Sequence, residues 1–170
     1  MAEEKSQEKW EGKVSAQLKG SKARDVWPFY ADFLNLHKWL PSVDTCHLLD
    51  GPVTGLQPGV LRYAASTVTS PSGEATVKWA KEKLLELDPI QRRLKYEVLE
   101  NNVGFKSWVA TMQVLPIDGD EEGGSEITWS FSGDPVEGLS YEMMLAYYDS
   151  NVQSVAKTIE DSLSHQAQVN

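Results

Sequence analysis

The chain has 170 residues, with 25 acidic against 16 basic side chains, a net charge of −9 and one cysteine. That length suits a single domain with its own core, and an acidic surplus without any Lys/Arg cluster excludes nucleic acid as a partner and disfavours an anionic membrane surface. Cys46 has no mate for an internal disulfide, no metal-binding Cys or His spacing occurs, and residues 1–9 are too charged for a secretory leader.

Along the chain, Trp10 to Leu18 alternates apolar with polar residues and predicts a strand. Ser21 is placed to cap a helix over Lys22 to Asn35, which Pro28 either kinks or divides. Trp27, Tyr30, Phe33 and Leu34 supply its apolar side. Asn35 to Pro41 then makes a short connection or a second small helix. Val43 to Leu49 reads as a strand ending at Asp50-Gly51-Pro52. Four more strands are separated by the turn formers Ser70-Pro71-Ser72-Gly73, Asp88-Pro89 and Asn101-Asn102-Val103-Gly104.

Asp118 to Gly124 is an acidic, glycine-rich hairpin loop; it lacks a regular calcium-ligand ladder and reads as solvated. Glu126 to Ser132 is the last strand. Leu145, Tyr148, Val152, Val155, Ile159 and Leu163 recur at steps of three and four, giving one apolar stripe on a helix from near Ser140. No apolar run approaches the roughly 20 residues of a spanning helix. The expectation is a cytoplasmic chain with one domain over residues 10–165 and flexible ends at 1–9 and 166–170. Its fold class is α+β: an antiparallel seven-stranded sheet curved around the C-terminal helix, with a short helical pair after the first strand.

Hairpin arithmetic sharpens this. Residues equidistant from a turn face each other across an antiparallel pair. Arg62 and Glu82 centre on Ser72, Glu82 and Tyr96 on Pro89, and Tyr96 and Trp108 on Asn102. The four should form one row across four strands. In the last two of these strands, Leu94, Tyr96 and Val98 share a face, as do Trp108, Ala110, Met112 and Val114, which marks that face as inward. In the first two the alternation is weaker, and a slip of one residue would turn Arg62 or Glu82 outward.

If the face is inward, the row is a small polar site, with Arg62, Glu82 and Tyr96 as the chemically active groups. Trp108, Leu94, Val98, Ala110, Met112, Trp129 and Tyr148 would line the cavity. The alternative for Arg62 and Glu82 is a plain cross-strand ion pair, with Tyr96 and Trp108 as core. Trp129 is core or cavity wall. Cys46 reads as a small buried hydrophobe. His37 reads as exposed, and His47 lacks visible partners.

The predicted order resembles the helix-grip superfamily of birch-pollen allergens, START lipid-transfer proteins and polyketide cyclases. A narrower resemblance, to the plant lachrymatory factor synthase family, rests on Trp10-Glu11-Gly12-Lys13-Val14, Asp32 to Lys38, Trp79 to Leu84, Ala110-Thr111-Met112-Gln113 and Trp129-Ser130-Phe131. It implies a cofactor-free isomerase that turns an alkenyl sulfenic acid into a thial S-oxide. Arg62 and Glu82 fall on that family's functional arginine and glutamate, and Tyr96 on one of two site tyrosines. Trp108 stands where the second belongs, and an indole donates a hydrogen bond but does not readily ionise.

The superfamily alone implies a partner of another kind, a small apolar ligand or lipid held internally. A third reading, a ligand-gated interaction protein like the abscisic acid receptors, is weakest. The corresponding loops, Ser70 to Ala75 and Asn102 to Phe105, carry neither the gate nor the latch motif of those receptors.

Overall fold

A computed structural model describes residues 8–51 and 55–169. Most of the predicted flexible segment 1–9, the Pro52 end of the predicted turn and the last residue lie outside them. The seven strands are β1 (Trp10–Leu18), β2 (Thr45–Asp50), β3 (Leu61–Thr69), β4 (Ala75–Asp88), β5 (Arg93–Asn101), β6 (Trp108–Pro116) and β7 (Ser125–Gly133). They form one antiparallel sheet in the order β1-β7-β6-β5-β4-β3-β2. The helices are α1 (Ala23–Tyr30), α2 (Leu36–Trp39) and α3 (Tyr141–Val169). This is the expected helix-grip α+β architecture.

Each face of the interior has its own cover. α3 lies along β1 and β7, and α1 packs on β6 and β7. Ser140 caps α3, its Oγ accepting the Met143 N–H at 3.1 Å. The predicted stripe faces inward: Tyr148, Val152, Val155 and Ile159 are buried, together with Met144, Asn151 and Ala156. Two bonds register the helix on the sheet edge, from Tyr141 Oη to Glu11 O at 2.7 Å and from Gln153 Nε2 to Ser15 O at 3.0 Å.

The first helix differs from its prediction. Its N-cap is Lys22 and no side chain caps it, so Ser21 does not do so. Ser21 is instead turned into the protein. α1 runs through Pro28 and stops two residues later at Tyr30, and a 3₁₀ turn over Phe33–Asn35 precedes α2. Tyr30 Oη donates to Thr128 O at 2.8 Å, fixing the end of α1 to β7.

The acidic hairpin loop is tied down by basic side chains. Glu122 pairs with Lys22 at 2.9 Å and Arg24 at 3.1 Å, and Glu121 with Arg92 at 2.9 Å. The arginines and Lys22 thus neutralise carboxylates that a cation would otherwise need, and among the described residues no acidic or His/Cys group is arranged to hold a metal.

Gly133, at the end of β7, makes room for Trp108. A Cβ there would sit 2.2 Å from Trp108 Cε3. Gly133→Ala should therefore destabilise the fold by about 1–3 kcal/mol through overpacking, read as a lowered urea midpoint. An unchanged midpoint would mean that the indole is not seated against this backbone.

Candidate functional site

Pairing decides which side chains meet. Arg62 faces Glu82, as the first turn predicted. The next two registers are displaced. Glu82 faces Val98 and Leu84 faces Tyr96; Val98 faces Trp108 and Tyr96 faces Ala110. The row is therefore Arg62, Glu82, Val98, Trp108, and Tyr96 sits one inward position along.

The cause lies in the turns. Asp88 pairs with Arg93, so the β4–β5 turn centres between Ile90 and Gln91 rather than on Pro89. Asp88 Oδ1 holds it by accepting the Ile90 and Gln91 N–H groups, each at 3.0 Å. A bulge between Leu84 and Glu86 then takes back one residue of the displacement. The β5–β6 turn centres on Val103, pinned by Asn101 Oδ1, which accepts from Val103 N at 3.1 Å and Phe105 N at 3.0 Å. Each net displacement is two residues, and a shift of two keeps every side chain on its face. The inward set survives although the partners change.

Arg62 is 1% exposed and Glu82 8%. Arg62 Nε donates to Glu82 Oε1 at 2.9 Å, and Nη1 donates to Phe33 O at 2.7 Å. Nη2 approaches the same Oε1 at 2.8 Å, but the contact is misaligned and Nη2 has no hydrogen-bond partner. The guanidinium lies 3.8 Å from the centre of the Phe33 ring and 4.9 Å from that of Tyr96. Glu82 Oε2 takes no hydrogen bond from the described residues.

Phe33 is the site residue that the sequence does not reveal. Its ring and its carbonyl both meet Arg62, yet it belongs to an irregular segment with no periodicity to place it. The buried Cys46 thiol lies 3.7 Å from the same carbonyl. Burial raises its pKa, so it stays protonated at neutral pH. His47 is exposed and stacks on Tyr63 at 5.2 Å, and His37 keeps a buried Nδ1 without a partner.

Leu94, Val98, Ala110, Met112, Trp129 and Tyr148 are all buried on the inner side. They do not surround an open chamber. Trp108, Phe131 and Tyr148 stack in sequence, and Phe105 meets Trp108 at a tilt. The space beside Arg62, walled by Phe33, Leu94, Met112 and Val155 among others, is about 10 Å³, room for about one water. A second, open groove of about 230 Å³ lies outside, among Trp27, Pro28, Ala31, Asp32, Leu56, Leu87 and Pro89. Asp32 borders both.

The sequence matches the profile described as "Polyketide cyclase / dehydrase and lipid transport" over residues 10–160. The chain belongs to this family. Solved structures share its fold. The protein XoxI of Bacillus cereus superposes with a TM-score of 0.67 at 22% identity, covering 89% of this chain and 94% of that one. An uncharacterised protein of Bacillus thuringiensis superposes with a TM-score of 0.68 at 20% identity, covering 88% of this chain and 98% of that one. Hydrophobic ligand binding is what the family suggests for this member. No helix among the described residues is long and apolar enough to cross a membrane.

The buried pair should behave asymmetrically under mutation. Arg62→Met leaves the Glu82 carboxylate without its cation and should cost about 3–5 kcal/mol. Arg62→Met with Glu82→Leu should recover most of that loss in urea unfolding. If the double variant is no more stable than the single one, the two charges do not depend on each other.

Proposed function

We propose that this protein binds a small, mostly apolar molecule whose polar end is received by Arg62 and Glu82. The observation that carries this is Arg62 Nη2, a nitrogen of a buried guanidinium with no hydrogen-bond partner, set among apolar walls. A buried charged donor left unmade costs more than a neutral one, and a ligand oxygen at Nη2 removes that cost.

Entry follows from the same geometry. The ~10 Å³ interior is too small for any such ligand, so binding displaces a side chain. Phe33 is the one to move, because it covers the guanidinium and the segment Ala31 to Phe33 divides the interior from the outer groove. A ligand at Arg62 takes over the interaction that holds Phe33 in place, so occupancy and opening are linked.

The test is titration with a saturated medium-chain carboxylate, alongside mass spectrometry of molecules that co-purify with the protein. Wild type should bind one equivalent. Arg62→Met should weaken binding by at least tenfold, and Phe33→Ala should speed association. Equal affinity in wild type and folded Arg62→Met would overturn Arg62 as the head-group receptor.

A second reading is the isomerase implied by the narrower plant-family resemblance, and Glu82 favours it. Arg62 makes both its contacts to Oε1, which leaves Oε2 outside the pair. In that reaction the proton leaves the sulfenic oxygen, the alkene carbon distal to sulfur gains one, and C=C becomes C=S without any other atom moving. Arg62 would hold the S–O group, Glu82 would carry the proton, and Tyr96, kept protonated by burial, would donate to oxygen. Glu82→Gln should then slow turnover of freshly generated alkenyl sulfenic acid by roughly 10²–10⁴-fold. Wild-type protein that turns it over no faster than buffer would eliminate this reading and leave the binder.

A further inference from the structure

Two buried phenols in the interior are acceptors, and neither spends its own proton. Trp108 Nε1 donates to Tyr148 Oη at 2.8 Å, and Trp129 Nε1 donates to Tyr96 Oη at 3.2 Å. An indole nitrogen only donates, so the direction of both bonds is fixed. Each phenol still has an O–H, and no acceptor for either occurs among the described residues. Both tyrosines are 4% exposed or less.

Neither group can escape by ionising. Desolvation raises both phenols far above their usual range. The charge of Glu82 adds to this at both phenols. With Arg62 Nη2, and Trp39 Nε1 beside the same space, four donors are unspent around the interior among the described residues, while Glu82 Oε2 is the oxygen of the ion pair that accepts no hydrogen bond. Each buried donor left without an acceptor is a standing penalty. The imbalance has a sign: what is missing is acceptors.

Position separates the donors. Arg62 and Trp108 end a row of four paired residues, so three strand spacings of about 4.8 Å divide them. Tyr148 reaches the Trp108 end from α3.

We infer that the ligand carries two separated oxygen acceptors, one taken at the Arg62 end, where the Tyr96 ring centre lies 4.9 Å from the guanidinium, and a second, on the order of 10 Å away, taken by the phenolic O–H of Tyr148. The ligand class is an oxo- or hydroxy-acid, or an ester of one, rather than a plain fatty acid or hydrocarbon. Trp108 and Trp129 are positioning residues: each occupies one lone pair of its phenol and so directs the O–H. The inference rests on the reading of the interior as a ligand site and adds the chemistry of the ligand's far end.

Calorimetric titration of the full chain tests it, with dodecanoate and its 5-, 7- and 9-oxo derivatives as probes. At least one oxo acid should bind wild type about tenfold more tightly than dodecanoate, the scale of one buried hydrogen bond. Tyr148→Phe should erase that preference, so that within this variant the oxo acids bind no more tightly than dodecanoate. Trp108→Phe, which keeps the phenol but releases its orientation, should reduce the preference without abolishing it, and it serves as the second variant should Tyr148→Phe not fold.

If wild type binds dodecanoate with no preference for any oxo acid, the second acceptor is wrong and the binding site stands. If Tyr148→Phe weakens every probe equally, Tyr148 only packs and the inference is likewise wrong. If no probe binds wild type, the binding reading and the inference fall together.

Discussion

A guanidinium buried in an apolar interior sets the terms for the structure around it. Removing Arg62 from water costs several kcal/mol, and one carboxylate does not return all of it. The chain therefore brings Glu82 into direct register across β3 and β4, and a backbone carbonyl from outside the sheet, that of Phe33, onto Nη1. The Phe33 ring closes over the cation. Even so Nη2, 2.8 Å from Glu82 Oε1 but misaligned, completes no hydrogen bond. A pair that served stability alone could be replaced at little loss by two well-packed apolar residues.

The irregular segment after Pro28 follows from this requirement. Had α1 run on through His37 as one helix, the His37 N–H would have taken the Phe33 carbonyl. α1 stops at Tyr30, and in the 3₁₀ turn that follows the Phe33 carbonyl is presented to Arg62 Nη1. Tyr30, bonded to Thr128 O, anchors the last turn before the break, so the mobile part of any opening starts at Ala31. The residues that would move are those dividing the outer groove from the interior.

Much of the fold is written as period-two alternation, which is local and survives errors in pairing. β1 could be read to its exact ends, and the inward faces of β5 and β6 follow from Leu94, Tyr96, Val98, Trp108, Ala110 and Met112 alone. Register is less legible because it depends on turn geometry. Asp88 and Asn101 accept backbone N–H groups and so recentre two turns, and a bulge in β4 adds its own offset. Contacts from outside the sheet are hidden altogether. The stripe of α3 shows that Tyr148 is inward, but only the helix's rotation on β1 and β7 determines that its hydroxyl meets Trp108.

That last contact changes the meaning of Trp108. Read as a sequence, an indole at a site-tyrosine position removes a phenol from the sheet and weakens the resemblance. In the fold, the indole N–H reaches 2.8 Å to a phenol on α3, so a hydroxyl is restored at that end of the row from a different element. The exchange has a mechanical consequence. A phenol on β6 would be fixed by the sheet, whereas Tyr148 moves with α3, and its position depends on Trp108, which in turn depends on the missing Cβ of Gly133. A ligand oxygen that accepted a hydrogen bond from Tyr148 would therefore bear on the long helix as well as on Phe33.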